Sequence, residues 1–316
     1  MVVVCGEALM DVFAADPTAS GLALDARIGG SPLNVAIGLR RLGQPAAFFG
    51  GVSSGFLGDR LMQALHDEAV DTACTVRIEA PATLSLVGLD AQGVPNYAFY
   101  GEGAADRLLP LSALARVPAV PAYQFGSYTM VVEPVAATQR ALIERETVRD
   151  LESEGERAVI AYDPNIRLKV EPDIQRWRDT LAWMLPRTQL LKVSDEDLGL
   201  LYPGVAAAEL AARWLAAGVA LVVVTRGGEG AWAWTASDHV AVPPVAVPVV
   251  DTVGAGDTFQ AALLTALAER GLLNRAALRR LGAADLAAVL TFAARAAAIT
   301  CSRRGADLPR RAELPA

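Results

Sequence analysis

Three cysteines, two histidines and no block of basic residues leave several chemistries without their usual ligands. Cys5, Cys74 and Cys301 are widely spaced and odd in number, so they offer neither a disulfide framework nor a CxxC metal pattern. A reducing compartment, the cytoplasm, suits them. His66 and His239 fall in a predicted helix and a predicted loop, far apart, and neither is given a role. Net charge is −7, which with no Lys/Arg-rich run makes nucleic acid and anionic membrane poor partners. The opening MVVVCGEALMDVF has no basic n-region and meets Glu7 and Asp11 too early for a signal peptide. The most apolar later stretch, GVAAAELAARWLAAGVALVVV, contains Glu209 and Arg213 and reads as helix, turn, strand, so no transmembrane segment is expected.

What is present is a globular composition, 53% hydrophobic and 20% charged over 316 residues, enough for one large α/β domain or two smaller ones. Short β-branched runs predict strands at 2–5, 46–52, 159–162, 190–192, 221–225 and 231–234. Alanine- and leucine-rich periodic segments predict helices at 31–42, 57–68, 135–155, 174–185, 206–217, 257–270 and 285–300. Unbroken apolar strands with helices between them imply a mostly parallel sheet flanked by helices on both faces. One region differs: TLSLVGLDAQGVPNYAFY alternates around a turn at Gly93, which predicts an antiparallel hairpin. With residues 12–29 it would form a small β appendage. The expectation is a single domain over 1–316, with a lid inserted at about 12–29 and 83–104, and an extended Pro/Val-rich run at 242–247.

VVDTVGAGDTFQAALLTALAERG, residues 249–271, sets glycines and two carboxylates at the mouth of a helix. Glycines let backbone N–H groups approach a ligand closely, and the helix N-terminus adds partial positive charge, so the turn suits a phosphate or another anion. Asp257 among those donors would repel that anion, which makes sense if it takes a proton from an attacking hydroxyl. The stretch is not a P-loop, because no Gly-Lys-Ser/Thr follows, nor a dinucleotide fingerprint, because Phe259 stands where the third glycine belongs. The plain alternative is that Asp257 caps an ordinary helix, although Asp251, six residues earlier, is unnecessary for capping.

Other stretches carry similar ambiguity. In IGGSPLNVAIGLRRLG, residues 28–43, Gly29 and Gly30 precede a helix whose first turn holds Ser31, Pro32 and Asn34. Asn34 either hydrogen-bonds a ligand on the glycine turn or is tolerated in a plain capped helix. AYDPNIR puts Asp163, Asn165 and Arg167 at the carboxyl end of an apolar strand, where open parallel sheets bind ligands, though Asp-Pro-Asn is also good turn chemistry. VVVTRGGEGAWAW, with Thr225, Gly227 and Gly230, reads alone as a hairpin turn. Asp195, Glu196 and Asp197 of LKVSDEDL read as a solvated acidic first turn of a helix.

Together, GGSPLNVAIGLRRLG and DTVGAGDTFQAALL resemble the two signature regions of the ribokinase, or PfkB-type, family of carbohydrate kinases, in order and in separation. The resemblance runs the length of the chain, and GEALMDVF, YDPNIR and KVSDED are most similar to its fructokinase branch. It implies a ribokinase-like fold and phosphoryl transfer from ATP, with Mg2+, to a sugar CH2OH. By resemblance, Asp257 is the catalytic base and Gly254, Ala255 and Gly256 form the anion hole. Asp11, Gly30 and Asn34 bind sugar hydroxyls, and Arg167 reaches the acceptor or the moving phosphate. Lys192, Thr225, Gly227 and Gly230 lie on the nucleotide side. Phe99, with Tyr97 and Tyr100, belongs to the lid that sets acceptor specificity. Asp197 stands near the metal, and some relatives hold potassium near the Asp251 loop. Many relatives have Asn, then Glu three residues later, where this chain has Ser194 and Asp197. That departure is what favours a regulator that binds sugar or nucleotide without catalysis. Retention of Asp257 argues for an enzyme, with fructose as the expected acceptor, 2-keto-3-deoxygluconate as its rival, and a homodimer formed through the lid.

Overall fold

Strands that are apolar at every position need cover on both faces, and they have it in the computed structural model, which describes residues 1–89, 95–149 and 157–315. In chain order the strands are β1 Val2–Cys5, β2 Leu9–Thr18, β3 Gly21–Gly29, β4 Ala46–Phe49, β5 Gly51–Ser53, β6 Val76–Ile78, β7 Leu84–Leu89, β8 Pro95–Tyr100, β9 Ala122–Gly126, β10 Val159–Asp163, β11 Leu190–Ser194, β12 Leu221–Thr225, β13 Ala231–Trp234 and β14 His239–Val242. The helices are α1 Ser31–Arg41, α2 Phe56–Asp67, α3 Val135–Val148, α4 Ile174–Met184, α5 Asp195–Leu201, α6 Ala207–Ala216, α7 Ala255–Glu269, α8 Arg275–Leu278 and α9 Ala283–Cys301.

The main sheet runs β14-β13-β12-β11-β10-β9-β1-β4, parallel from β4 to β12 and closed by the antiparallel pair β13 and β14. Side chains alternate across it. Val2 and Val4, Val159 and Ala161, and Leu221 and Val223 face a core built with α1, α7 and α9. Val3 and Cys5, Ile160 and Tyr162, and Val222 and Val224 face the opposite core, built with α3, α4 and α6. Cys5, Cys74 and Cys301 are unpaired. The helix α9 is long and apolar enough to cross a membrane, but here it packs on α7, β13 and β14.

A second sheet, β3-β2-β7-β8, stands apart from the first. β2 and β3 form a long antiparallel ribbon, β7 joins β2 in parallel, and β8 returns antiparallel along β7 from Leu89↔Pro95 to Leu84↔Tyr100. The predicted hairpin is therefore present; its Gly93 turn, and residues 150–155 of the predicted third helix, lie outside the described residues. Several sequence expectations change. The strand expected at 46–52 divides into β4 in the main sheet and β5, which leaves it to pair with β6. The short strand β14 is an addition at the main sheet's edge. The strand β9 was not expected, because Gln124 interrupts its apolar run.

Gln124 is buried in β9, and its side-chain oxygen accepts a hydrogen bond at 2.5 Å from Gln260 of α7. This pair ties the rotation of α7 to the centre of the sheet. Replacing Gln260 with Leu should cost about 1–3 kcal/mol by orphaning its partner. The double variant Gln124→Leu/Gln260→Leu should recover part of that loss, a non-additivity that a urea-denaturation cycle measures.

Candidate functional site

The N-terminus of α7 opens at the carboxyl edge of the main sheet. Its cap is Gly254 at φ 78° and ψ 0°, a left-handed conformation that disfavours any side chain. Space forbids one as well, since a Cβ there would fall 2.6 Å from the Ala306 Cβ. The N–H groups of Gly256 and Asp257 lie in the first helical turn and have no partner within the helix. Asp257 is not the cap. It is the third helical residue, half-buried, and its carboxylate accepts from Ser31 Oγ at 2.6 Å and from Asn34 Nδ2 at 2.8 Å. Burial pushes its carboxyl above the ordinary range; Ser31, Asn34, and the Lys192 and Arg167 charges pull it back. The helix begins two residues before the predicted Asp257 start, so the capping alternative fails and a positioned carboxylate takes its place.

Ser31 and Asn34 sit in the first turn of α1, entered from Gly30 at φ 105°, where a Cβ would meet the Glu7 carbonyl at 2.7 Å. The small sheet approaches from the other side. Arg27, Asp11, Ser85 and Phe99 form one row across β3, β2, β7 and β8, because directly paired residues project to the same face. That face carries Asp11 toward Asp257 and Arg167, whose charges both act on it. Burial lifts the Asp11 carboxyl to about 6, Asp257 adds to the lift, and Ser85 and Arg167 oppose it.

The ends of β10 and β11 supply the charges beneath. Lys192 is one of only two lysines in the chain, and it is buried. Its Nζ pairs with Asp163 Oδ2 at 2.7 Å and lies 3.4 Å from where a Gly256 Cβ would stand, directly under the glycine turn. Asp197 is buried, whereas Asp195 and Glu196 are exposed, so the solvated-turn reading holds for two of the three acids. Ser194 Oγ caps α5 by accepting the Asp197 N–H at 3.0 Å, and Asp197 Oδ1 accepts the Ile166 N–H at 3.1 Å. Burial and the neighbouring Asp163 push the Asp197 carboxyl to about 6, against Arg167, Lys192 and Ser194. Arg167 is exposed, and its charge reaches Asp11, Asp197 and Asp257.

The remaining candidates are farther around the edge. Thr225 ends β12 beside Ser194, while Gly227 and Gly230 form the turn into β13, as their sequence alone suggests. Asp251 Oδ1 and Oδ2 accept the N–H groups of Val253 and Gly305, at 3.0 and 2.8 Å, and so fasten the Gly254 turn to the 305 loop. Among the described residues no three His, Cys, Asp or Glu side chains converge on one point. A hard cation that keeps most of its waters needs only one or two carboxylates, however, and Asp163 Oδ1 is buried without a partner near Asp197. Those residues fit such an ion.

Sequence reasoning missed Ser31 as a partner of Asp257, Ser85 as a partner of Asp11, and Arg27. Ser31 lies within a stretch already singled out, but Ser85 and Arg27 enter only through strand register, which the sequence does not display.

The chain matches the description "pfkB family carbohydrate kinase" over residues 1–312. It is 37% identical over 276 residues to a fructokinase from Rhizobium leguminosarum bv. trifolii, covering 87% of this chain and 82% of the relative. Over 316 residues it is 31% identical to the probable fructokinase-4 of Arabidopsis thaliana, covering 97% and 92%. Among solved structures it is similar to the ATP-bound fructokinase of Xylella fastidiosa, with a TM-score of 0.84 and 25% identity over 99% and 94% of the two chains. It is also similar to a Vibrio cholerae fructokinase double mutant holding fructose, ADP and a potassium ion, with a TM-score of 0.79 and 26% identity over 96% and 93%. The chain therefore belongs to the pfkB family of carbohydrate kinases, with a ribokinase-like fold and ATP as its phosphoryl donor.

Proposed function

We propose that this sugar kinase is a fructokinase, converting fructose and ATP to fructose 6-phosphate and ADP with Asp257 as the base. The observation that carries the chemistry is the Asp257 carboxylate held by Ser31 and Asn34 at the open end of α7. The fructose assignment draws on the fructokinases among its relatives. Asp257 accepts the proton of the sugar hydroxyl, the hydroxyl oxygen bonds to the γ-phosphorus, and the bond to the β-phosphate oxygen breaks, its electron pair leaving with ADP. The amides at Gly254, Ala255 and Gly256 and the Lys192 ammonium below them stabilise the charge on the moving phosphoryl oxygens. Asp11, Gly30 and Asn34 meet the sugar hydroxyls, Phe99 packs on the sugar from the small sheet, and Arg167 lies between acceptor and phosphate.

The exposed side chains of Val245, Val249 and Val250, in the segment that follows Pro243 and Pro244 at the Gly230 turn, offer an apolar ledge to the adenine of ATP. Thr225 and the two glycines lie along its phosphates. A magnesium ion would be held through water by Asp197, with Asp163 beside it, and would neutralise phosphate charge. A potassium ion would rest on the backbone carbonyls of the Asp251 loop, because the Asp251 oxygens are already engaged. The small sheet acts as the lid. Its apolar face buries Met10 and Val12 but leaves Leu22 and Leu24 about half exposed, a surface suited to pairing with a second copy.

A second reading, 2-keto-3-deoxygluconate as acceptor, is favoured by one observation. Arg167 is exposed, and among the described residues it makes no salt bridge, so its charge is available to a carboxylate.

Asp257→Asn should keep fructose binding and lower kcat by about 100- to 10,000-fold; a variant retaining more than roughly a tenth of wild-type kcat would remove Asp257 from this role. Initial rates at fixed MgATP should give fructose a kcat/KM at least about ten times that of ribose, adenosine or 2-keto-3-deoxygluconate. A keto-acid preference would keep the kinase and discard the fructokinase. Light scattering at micromolar protein should report a dimer, and Leu22→Lys/Leu24→Lys should return it to monomer.

A further inference from the structure

Four chain segments join the small sheet to the main body, and a buried pair of acids lies where they meet. Glu7 is in the three-residue link from β1 to β2, and Asp106 follows β8 in a short 3-10 turn. Both are at most 2% exposed. Asp106 is well served: Thr83, just before β7, donates to Oδ1 at 2.6 Å, and the Tyr128 hydroxyl donates to Oδ2 at 2.8 Å. Glu7 is not. Ser127 bonds its carboxyl, but Oε2 is buried without a partner, and among the described residues no cation pairs with it. A carboxylate in that setting, beside a second acid, is far costlier than a neutral carboxyl group.

We infer that Glu7 is a positioning residue held as the neutral acid, joining the acceptor turn to the base of the lid, and that its ionisation loosens acceptor binding. Three contacts give it that reach. Its carbonyl underlies Gly30, the residue that opens α1. Its side chain meets Ser127, which sits at φ 60° after β9, and Ser127 N–H in turn donates to the Asp163 carbonyl at 3.2 Å. Its neighbour Asp106 anchors Thr83, whose carbonyl accepts the Met10 N–H of β2 at 3.1 Å. The charged and titratable groups facing Glu7 are Asp106 from the 3-10 turn, Tyr128 after β9 and Arg167 after β10, with Arg107 over the Tyr128 ring. Burial lifts the Glu7 carboxyl to about 8, Ser127 and Arg167 opposing and Asp106 adding. A charge formed there sits against Asp106 and strains the junction of lid and body.

The inference rests on the site proposed above, so its test has two readouts, one independent of any acceptor. A buried acid with a raised pKa binds its proton more tightly when folded, so stability falls as pH rises from the unfolded value toward about 8. Glu7→Gln keeps the neutral shape and escapes that loss. Its melting temperature should gain on wild type by roughly 2–4 °C per pH unit between about pH 5 and pH 8. A constant difference across that range would overturn the neutral-acid assignment whatever the enzyme phosphorylates. In initial-rate assays with the acceptor that turns over best, the wild-type KM for the acceptor should rise about tenfold per pH unit above about pH 8. kcat should move far less, and Glu7→Gln should remove the rise while Glu7→Ala raises KM at every pH. A KM in Glu7→Gln that climbs with pH as wild type does, or one as impaired as Glu7→Ala, would overturn the positioning role.

Discussion

The Asp257 carboxyl, gripped by Ser31 and Asn34 at the open end of α7, is the contact around which the rest of this edge is arranged. Burial raises its pKa, and it lies in the first turn of α7, whose N–H groups have no partners within the helix. What opposes that rise is a set of groups from distant parts of the chain: Ser31 and Asn34 from α1, and the charges of Lys192 and Arg167 from the strand ends. Each has its own support. Lys192 is buried, and an unpaired buried charge is costly, so Asp163 accompanies it. Asp163 then needs the end of β10, and α1 must pack on α7. The main sheet is the frame that brings these groups to one carboxyl.

The small sheet divides its labour by strand alternation. One face carries Asp11, Arg27, Ser85 and Phe99 to the site. The other buries Met10 and Val12 in the core shared with α1 and α7. A period of two residues thus serves chemistry and packing within one ribbon, and a slip of one residue would exchange them.

Much of this was legible in the sequence, for identifiable reasons. Fully apolar strands such as Leu221–Thr225 and long periodic helices such as Ala255–Glu269 declare themselves locally, and the glycine turn before α7 is marked by its residue types. What stayed hidden depends on partners far along the chain. Gln124 reads as a break in a strand until Gln260, 136 residues away, satisfies it. Lys192 reads as a lone cation at a strand end until Asp163, 29 residues earlier, is seen to pair with it. Ser194 looks like the loss of a family asparagine, yet its hydroxyl caps α5 and leaves Asp197 buried and facing Asp163. Burial separates Asp197 from its exposed neighbours Asp195 and Glu196, and no local pattern could have done so.

The acids of this edge also set a pH window. Asp11 and Asp197 have carboxyls lifted to about 6, and Glu7 to about 8, in each case chiefly by burial. Between those values Asp11 and Asp197 are charged while Glu7 is neutral, which is the combination the proposed reaction needs: anions to meet sugar hydroxyls and a hydrated metal ion, and no extra charge under the lid. The same shifts work against the fold. An acid whose pKa is higher in the folded protein favours folding most below its unfolded value, near 4, and loses that advantage as pH rises to the folded value. Each of these carboxyls therefore costs stability in the range where the site is correctly charged. A site assembled for stability alone would leave these carboxyls in water, so their burial at the end of the sheet is what a site built for chemistry would show.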